Sequence, residues 1–140
     1  MASLTLRVLL INLSLGYDPE FLRASQAIMQ VESGGDPQAL GDAGRAVGPY
    51  QIHRAYWQDA MRILGQDWPY ELARNPDQAL QAVYAYTRHY ARFHHRPWTA
   101  ETISRIHNGG PWGWKKRATR TYWRKVQIAL RACAKGSAKR

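Results

Sequence analysis

The chain has 140 residues, a mass of 16.0 kDa and 20 Lys+Arg against 10 Asp+Glu, for a formal net charge of +10 and a pI of about 10.2. That length fits one domain, 1–140, and a hydrophobic fraction of 45% supplies a packed core, which excludes a disordered basic tail. The single cysteine, Cys133, excludes an internal disulfide framework and a cysteine-based zinc site, and no apolar run reaches the roughly 20 residues of a membrane span.

Segment 1–16 is apolar. Arg7 interrupts it and no small-x-small cleavage site follows, so it reads as a buried N-terminal segment, with an export signal as the alternative. Asp18-Pro19-Glu20 predicts a helix start, with Asp as N-cap and Pro at the first helical position. Phe21, Ala24, Ser25 and Ile28 then recur every three to four residues and form one buried face. Ser33-Gly34-Gly35-Asp36-Pro37 ends that helix. Between Asp36 and Pro49, Gly41, Gly44 and Gly48 predict a loop or small β-hairpin. A second helix fits His53–Leu64, closed by Gly65. Asn75-Pro76-Asp77 starts a third, running through Ala79, Val83, Tyr86 and Tyr90 to about His94. Thr99 caps a short fourth carrying Ile103 and Ile106, broken by Asn108-Gly109-Gly110-Pro111. A last helix, about Ala118–Cys133, places Tyr122, Val126, Ala129 and Cys133 on one face, and 135–140 forms a basic, frayed tail. The class is mainly α, an α+β chain with a minor β element.

The positive charge predicts a polyanionic partner: nucleic acid, anionic lipid or bacterial cell wall. Glu101 is the last acidic residue, and 11 of the 20 basic residues follow it. Chemistry that needs carboxylates therefore belongs to the first two thirds of the chain.

Glu32 interrupts the apolar pattern. It lies four residues after Ile28 and so projects from the buried face at the C-terminal end of its helix. Partial burial and the negative end of the helix dipole both disfavour ionisation there, which suits a general acid. The bland alternative is a Glu that emerges into solvent where the helix ends. Asp42 follows in the glycine-rich loop, where solvation keeps a carboxylate ionised. One protonated and one ionised carboxyl across a cleft is the pair that cleaves a glycosidic bond. Taken alone, Gly41-Asp42-Ala43-Gly44 is also ordinary turn chemistry.

A set of ordered motifs narrows these readings. Val31-Glu32-Ser33-Gly34-Gly35, Gly41-Asp42-Ala43-Gly44, Gly48-Pro49-Tyr50-Gln51-Ile52 and Tyr56-Trp57-Gln58-Asp59 resemble the lysozyme superfamily. The runs Ile106-His107-Asn108-Gly109-Gly110-Pro111-Trp112-Gly113 and Thr121-Tyr122-Trp123-Arg124-Lys125-Val126-Gln127 resemble invertebrate-type, destabilase-like lysozymes. The resemblance spans Phe21 to Ile128. It implies a small lysozyme-like fold with a short β-hairpin between helices, and a peptidoglycan hydrolase cleaving the β-1,4 bond between N-acetylmuramic acid and N-acetylglucosamine. Glu32 matches the catalytic acid and Asp42 the second carboxylate. Tyr50, Gln51 and Ile52 match the floor of the cleft, and His107, Asn108 and Gly109 a loop facing the substrate.

No metal or organic cofactor is implied. The animal enzymes are rich in disulfides, so one cysteine points to a bacterial or phage relative held by core packing. The family's isopeptidase activity is not carried over by these residues. Two alternatives stay open: a lytic transglycosylase using Glu32 alone, and a non-enzymatic basic helical module binding nucleic acid or anionic surfaces. The expected partner is bacterial peptidoglycan, with no obligate nucleic acid and with the basic C-terminal region helping to engage an anionic wall. Action is expected outside the cytoplasm, by a secreted, periplasmic or phage-released enzyme.

Of the remaining side chains, His89, His94 and His95 have no spacing that places a metal pair on one helix face. His53 reads as structural. Trp57 and Trp123 read as core, whereas Trp112 and Trp114 lie in a glycine-rich loop where stacking on sugars and core packing are both open.

Overall fold

The structure, a computed structural model, describes residues 16–138; the predicted apolar segment up to residue 15 lies outside them. In chain order the elements are α1 (Pro19–Ser33), β1 (Leu40–Gly41), β2 (Ala46–Val47), β3 (Ile52–His53), α2 (Arg54–Leu64), α3 (Pro76–Phe93), α4 (Ala100–Gly109) and α5 (Thr119–Ala138). Short 3-10 turns at Asp42–Gly44, Tyr70–Arg74 and Gly113–Lys115 complete the list.

Local signals account for the helix ends. The Asp18 carboxylate accepts the Phe21 N–H at 2.8 Å and caps α1. Gly34, in the left-handed region at φ 64°, closes that helix by donating its N–H to the Gln30 carbonyl. Asn75 and Thr99 cap α3 and α4 in the same way. At α2 the helix begins one residue later than expected, at Arg54, because His53 is taken up by β3.

Around α4 the helices form one core. It packs against α1, α3 and α5, and its Ile103 and Ile106 are fully buried. Phe21, Ala24 and Ile28 of α1, Val83 and Tyr86 of α3, and Tyr122 and Val126 of α5 close around them. Aromatic contacts fasten the entry to α1. Tyr17, Phe21, Tyr84 and Trp98 lie within 4.9–6.1 Å of their neighbours' centroids, and Trp98 Nε1 donates to Asp18 at 3.0 Å. Burying side chains of this size stabilises by about 1.5–3 kcal/mol each, and no disulfide is needed for it.

Three departures from the sequence reading matter for the site. The β element is a three-stranded antiparallel sheet, not a hairpin, because Ile52–His53 adds a third strand to β2. The last turn of α4 includes His107, Asn108 and Gly109, so these residues are helical and the chain breaks only at Gly110. And α5 continues to Ala138, so the predicted tail from Lys135 is helical that far.

Candidate active site

A cavity of about 280 Å³ opens between α1, the sheet, α2 and the end of α4, lined by Glu32, Asp42, Ala46, Gln51, His53, Tyr56, His107 and Asn108. Each lining group arrives by a definable local route.

The C-terminal turn of α1 delivers Glu32. Ser33 anchors that turn, its hydroxyl donating to the Pro49 carbonyl at 2.8 Å while accepting the Gly35 N–H at 3.1 Å. The acid's position is thereby tied to the segment leading into β3. Its side chain is 19% exposed, against 49% for Asp42. One oxygen, Oε1, accepts the Tyr122 hydroxyl at 2.7 Å and lies 3.5 Å from His107 Nε2. Burial, then the negative charge of Glu32, push the Tyr122 phenol well above its usual range, so that hydroxyl keeps its proton and donates.

His107 is held from both ring nitrogens. Nε2 lies 3.0 Å from the Tyr50 carbonyl, which can only accept, so Nε2 carries a proton. In the neutral ring Nδ1 then accepts from the Tyr56 hydroxyl at 3.0 Å. Burial raises Tyr56 well above the ordinary phenol range, and its ring stacks on Tyr86 at 3.7 Å. A chain of contacts thus runs from α3 through Tyr56 and His107 to the acid on α1.

Asp42 sits in a left-handed turn: Asp42, Ala43 and Gly44 have φ of 50°, 56° and 82°. Asp tolerates this region better than most residues, and Ala pays for it, so the turn needs external support. Arg45 supplies it, donating from Nε to the Asp42 carbonyl at 3.1 Å and from Nη2 to Oδ1 at 3.0 Å. The other oxygen, Oδ2, faces His53 Nε2 at 3.4 Å. Asp42 is thus held between the Arg45 guanidinium and the His53 ring.

Sheet register explains which residues of the 48–53 segment reach the cleft. Gly41, Ala46 and His53 form one cross-strand row, and Val47 pairs with Ile52 in the next. Successive side chains of a strand point to opposite faces, so His53 faces Asp42 while Ile52 is fully buried in the core. The expected floor residues therefore divide. Gln51 lines the cavity and braces the sheet, its Nε2 donating to the Ala39 and Gly48 carbonyls at 3.1 and 3.0 Å. Tyr50 is buried with its hydroxyl toward Ser25, and only its carbonyl serves the site. Ile52 is core. Gly109 does not line the cavity either: a Cβ there would lie 2.4 Å from Thr119 Cγ2, so it is where α4 passes close to α5. Asn108 is exposed on the cleft wall.

Sequence reasoning missed three groups. His53 was read as structural, yet it lines the cavity opposite Asp42. Tyr56 lay within a matched motif but was given no role, and Tyr122 was read only as the apolar face of α5. A tyrosine among the buried positions of a helix, with a hydroxyl that must find a partner, was the available signal. Trp57 is core, Trp123 packs against the core, Trp114 is half-buried and Trp112 exposed under Lys115.

Comparison with known proteins agrees with this geometry. The family model described as Destabilase matches residues 24–129. Lysozyme 1 of Crassostrea virginica is 42% identical over 83 residues, which are 57% of this chain but only 42% of that protein. The lysozyme of Meretrix lusoria is 35% identical over 109 residues, 75% of this chain and 86% of that one. Among solved structures, Tapes japonica lysozyme superposes with a TM-score of 0.67 at 28% identity, covering 79% of this chain and 93% of that one. A complex of Aeromonas hydrophila PliI with Meretrix lusoria lysozyme matches with a TM-score of 0.69 at 30% identity, over 80% and 93% of the two chains. With the family model spanning most of the chain and both carboxylates inside the match, the chain belongs to the destabilase family of invertebrate-type lysozymes.

Proposed function

We propose that this protein is a muramidase that hydrolyses the β-1,4 bond between N-acetylmuramic acid and N-acetylglucosamine in peptidoglycan. The observation that carries the reading is the asymmetry of two carboxyl groups lining one cavity. Glu32 is mostly buried and takes a hydrogen bond from Tyr122, whereas Asp42 is exposed between Arg45 and His53. That is the division of labour glycoside hydrolysis requires. Glu32 protonates the leaving glycosidic oxygen, and Asp42 stabilises the oxocarbenium-like state or attacks it. Asn108 and Gln51, on the cavity walls, offer amide donors and acceptors to the sugar's acetamido and hydroxyl groups. The substrate lies outside the cytoplasmic membrane, and the enzyme acts there, secreted or released at lysis. Bivalve lysozyme relatives support the reading.

The test is lysis of purified walls by wild type and Glu32→Gln, with the products analysed by mass spectrometry. Removing the general acid is expected to lower the rate by about 10²–10⁴-fold, and wild type is expected to release reducing muramic ends. A rate within a few-fold of wild type for Glu32→Gln would overturn the assignment, and anhydro-muramic ends would replace hydrolysis with transglycosylation.

A further inference from the structure

The cations outside α5 are largely engaged within the protein. Arg23, Arg45, Arg62 and Arg105 pair with carboxylates, and Arg54, Arg88 and Arg96 lie over aromatic rings. The stripe formed by Arg117, Arg120, Arg124, Arg131 and Lys135 is different. All five are exposed, and among the described residues none is in an ion pair.

At about 100° per residue Arg120, Arg124, Arg131 and Lys135 recur on one side of α5, opposite Tyr122 and Val126, which are buried against the core, and Arg117 lies in the turn just before the helix. From Arg120 to Lys135 the row runs about 22 Å along the axis at 1.5 Å per residue. Arg117, Arg120 and Arg124 border a surface hollow of about 560 Å³. No acidic residue follows Glu101 to neutralise the face.

Four like charges held in a row on one helix, with a fifth in the turn before it, repel one another, so the arrangement costs stability unless a counter-charge meets it. Four of the five are arginines, whose planar forks fit phosphate oxygens two at a time. Ile128 is the one large apolar side chain exposed on that face, too little to seat a helix in a lipid boundary. A linear polyanion, lying along the helix, fits better than a bilayer.

We propose that the outer face of α5 is a docking surface for a phosphodiester polymer anchored to the bacterial wall, which holds the enzyme on its substrate while the cleft works from the other side of the helix. The identity of that polymer rests on the muramidase reading; the anion-binding face does not.

The test uses the full chain and the triple variant Arg120→Gln/Arg124→Gln/Arg131→Gln, whose substitutions are all exposed. Binding to purified glycerol-phosphate polymer, to duplex DNA and to anionic phospholipid vesicles is measured as salt is raised. Wild type should bind the polymer. The variant should bind it at least about tenfold more weakly, with the slope of log affinity against log salt reduced by about 2. Lysis of polymer-bearing walls should fall in the variant and that of polymer-stripped walls should not. Circular dichroism and cleavage of an uncharged N-acetylglucosamine hexamer control for folding and for the cleft. Equal polymer binding by the variant and wild type overturns the proposal, as does wild-type binding to DNA or vesicles without binding to the polymer. The two readings separate in wild type itself: polymer binding without any lytic activity would fail the muramidase assignment and leave the docking face standing.

Discussion

At Glu32 one carboxylate oxygen accepts the Tyr122 hydroxyl at 2.7 Å, and His107 Nε2, whose proton is directed at the Tyr50 carbonyl, lies 3.5 Å from the same oxygen. Tyr122 is the closer and is buried, so it holds that oxygen from beneath, and under the proposed function it orients the acid. Tyr122→Phe deletes that donor and changes little else in shape. The expected result is a drop in kcat of about tenfold with KM nearly unchanged, and a stability change within about 1.5 kcal/mol; steady-state kinetics on walls and thermal melts check both. An unchanged kcat would remove Tyr122 from the positioning of the acid. Glu32 itself was legible in the sequence because it continues the stripe of Phe21, Ser25 and Ile28. Its partners were not, since Tyr122 lies 90 positions away and only the packing of α1 on α5 brings the two together.

The small sheet decides more of the site than its two-residue strands suggest. Its register sends Ala46 and His53 to the cleft and Ile52 to the core, which is why half of the expected floor segment turned out to be structural. The glycine at 48 fixes where this sheet sits. Its φ is 78°, and a Cβ there would lie 2.1 Å from the Ala73 carbonyl oxygen, so the sheet abuts the 70–74 turn through bare backbone. Tyr70 adds a hydroxyl donated to the Ile52 carbonyl at 2.6 Å. Gly48→Ala is expected to destabilise the fold by about 2–4 kcal/mol, combining a left-handed backbone with a clash against an immobile carbonyl. Chemical denaturation measures it, and a loss below about 0.5 kcal/mol would contradict the contact. Helix boundaries, by contrast, were read closely at Asp18, Asn75 and Thr99, because a cap involves groups within four residues of one another. The end of α4 was misread at Asn108-Gly109, where packing of Gly109 against Thr119 keeps a glycine helical that composition alone would place in a turn.

On the scale of the whole molecule, a chain without an internal disulfide is held by a core unusually rich in tyrosine. Burial is the leading cause that pushes Tyr17 up to about 12 and raises Tyr50, Tyr56, Tyr86 and Tyr122 further. In the unfolded chain these phenols titrate near 10. Above that pH the unfolded state sheds protons that the folded state retains, so stability contributed at neutral pH is lost as pH rises from about 10 through the folded values. Tm should therefore be level from about pH 8 to 9.5 and fall steeply above about 10; a flat Tm up to about pH 12 would show that the phenols are accessible. The charge distribution belongs to this scale too. Cations outside α5 are mostly spent on internal pairs and stacks, and the outer face of α5 keeps its charge for a partner. What the sequence determined by itself was local or cumulative: helix starts and stops, the mainly α class, the two carboxylates with their ordered motifs, and the basic excess after Glu101. What only the tertiary structure decided was company: that Tyr122 and His107 meet Glu32, that His53 and Arg45 flank Asp42, and that Tyr50 and Ile52 turn inward. Capping and periodicity depend on neighbours along the chain, whereas these contacts depend on how α1, α4, α5 and the sheet cross, which the whole core sets at once.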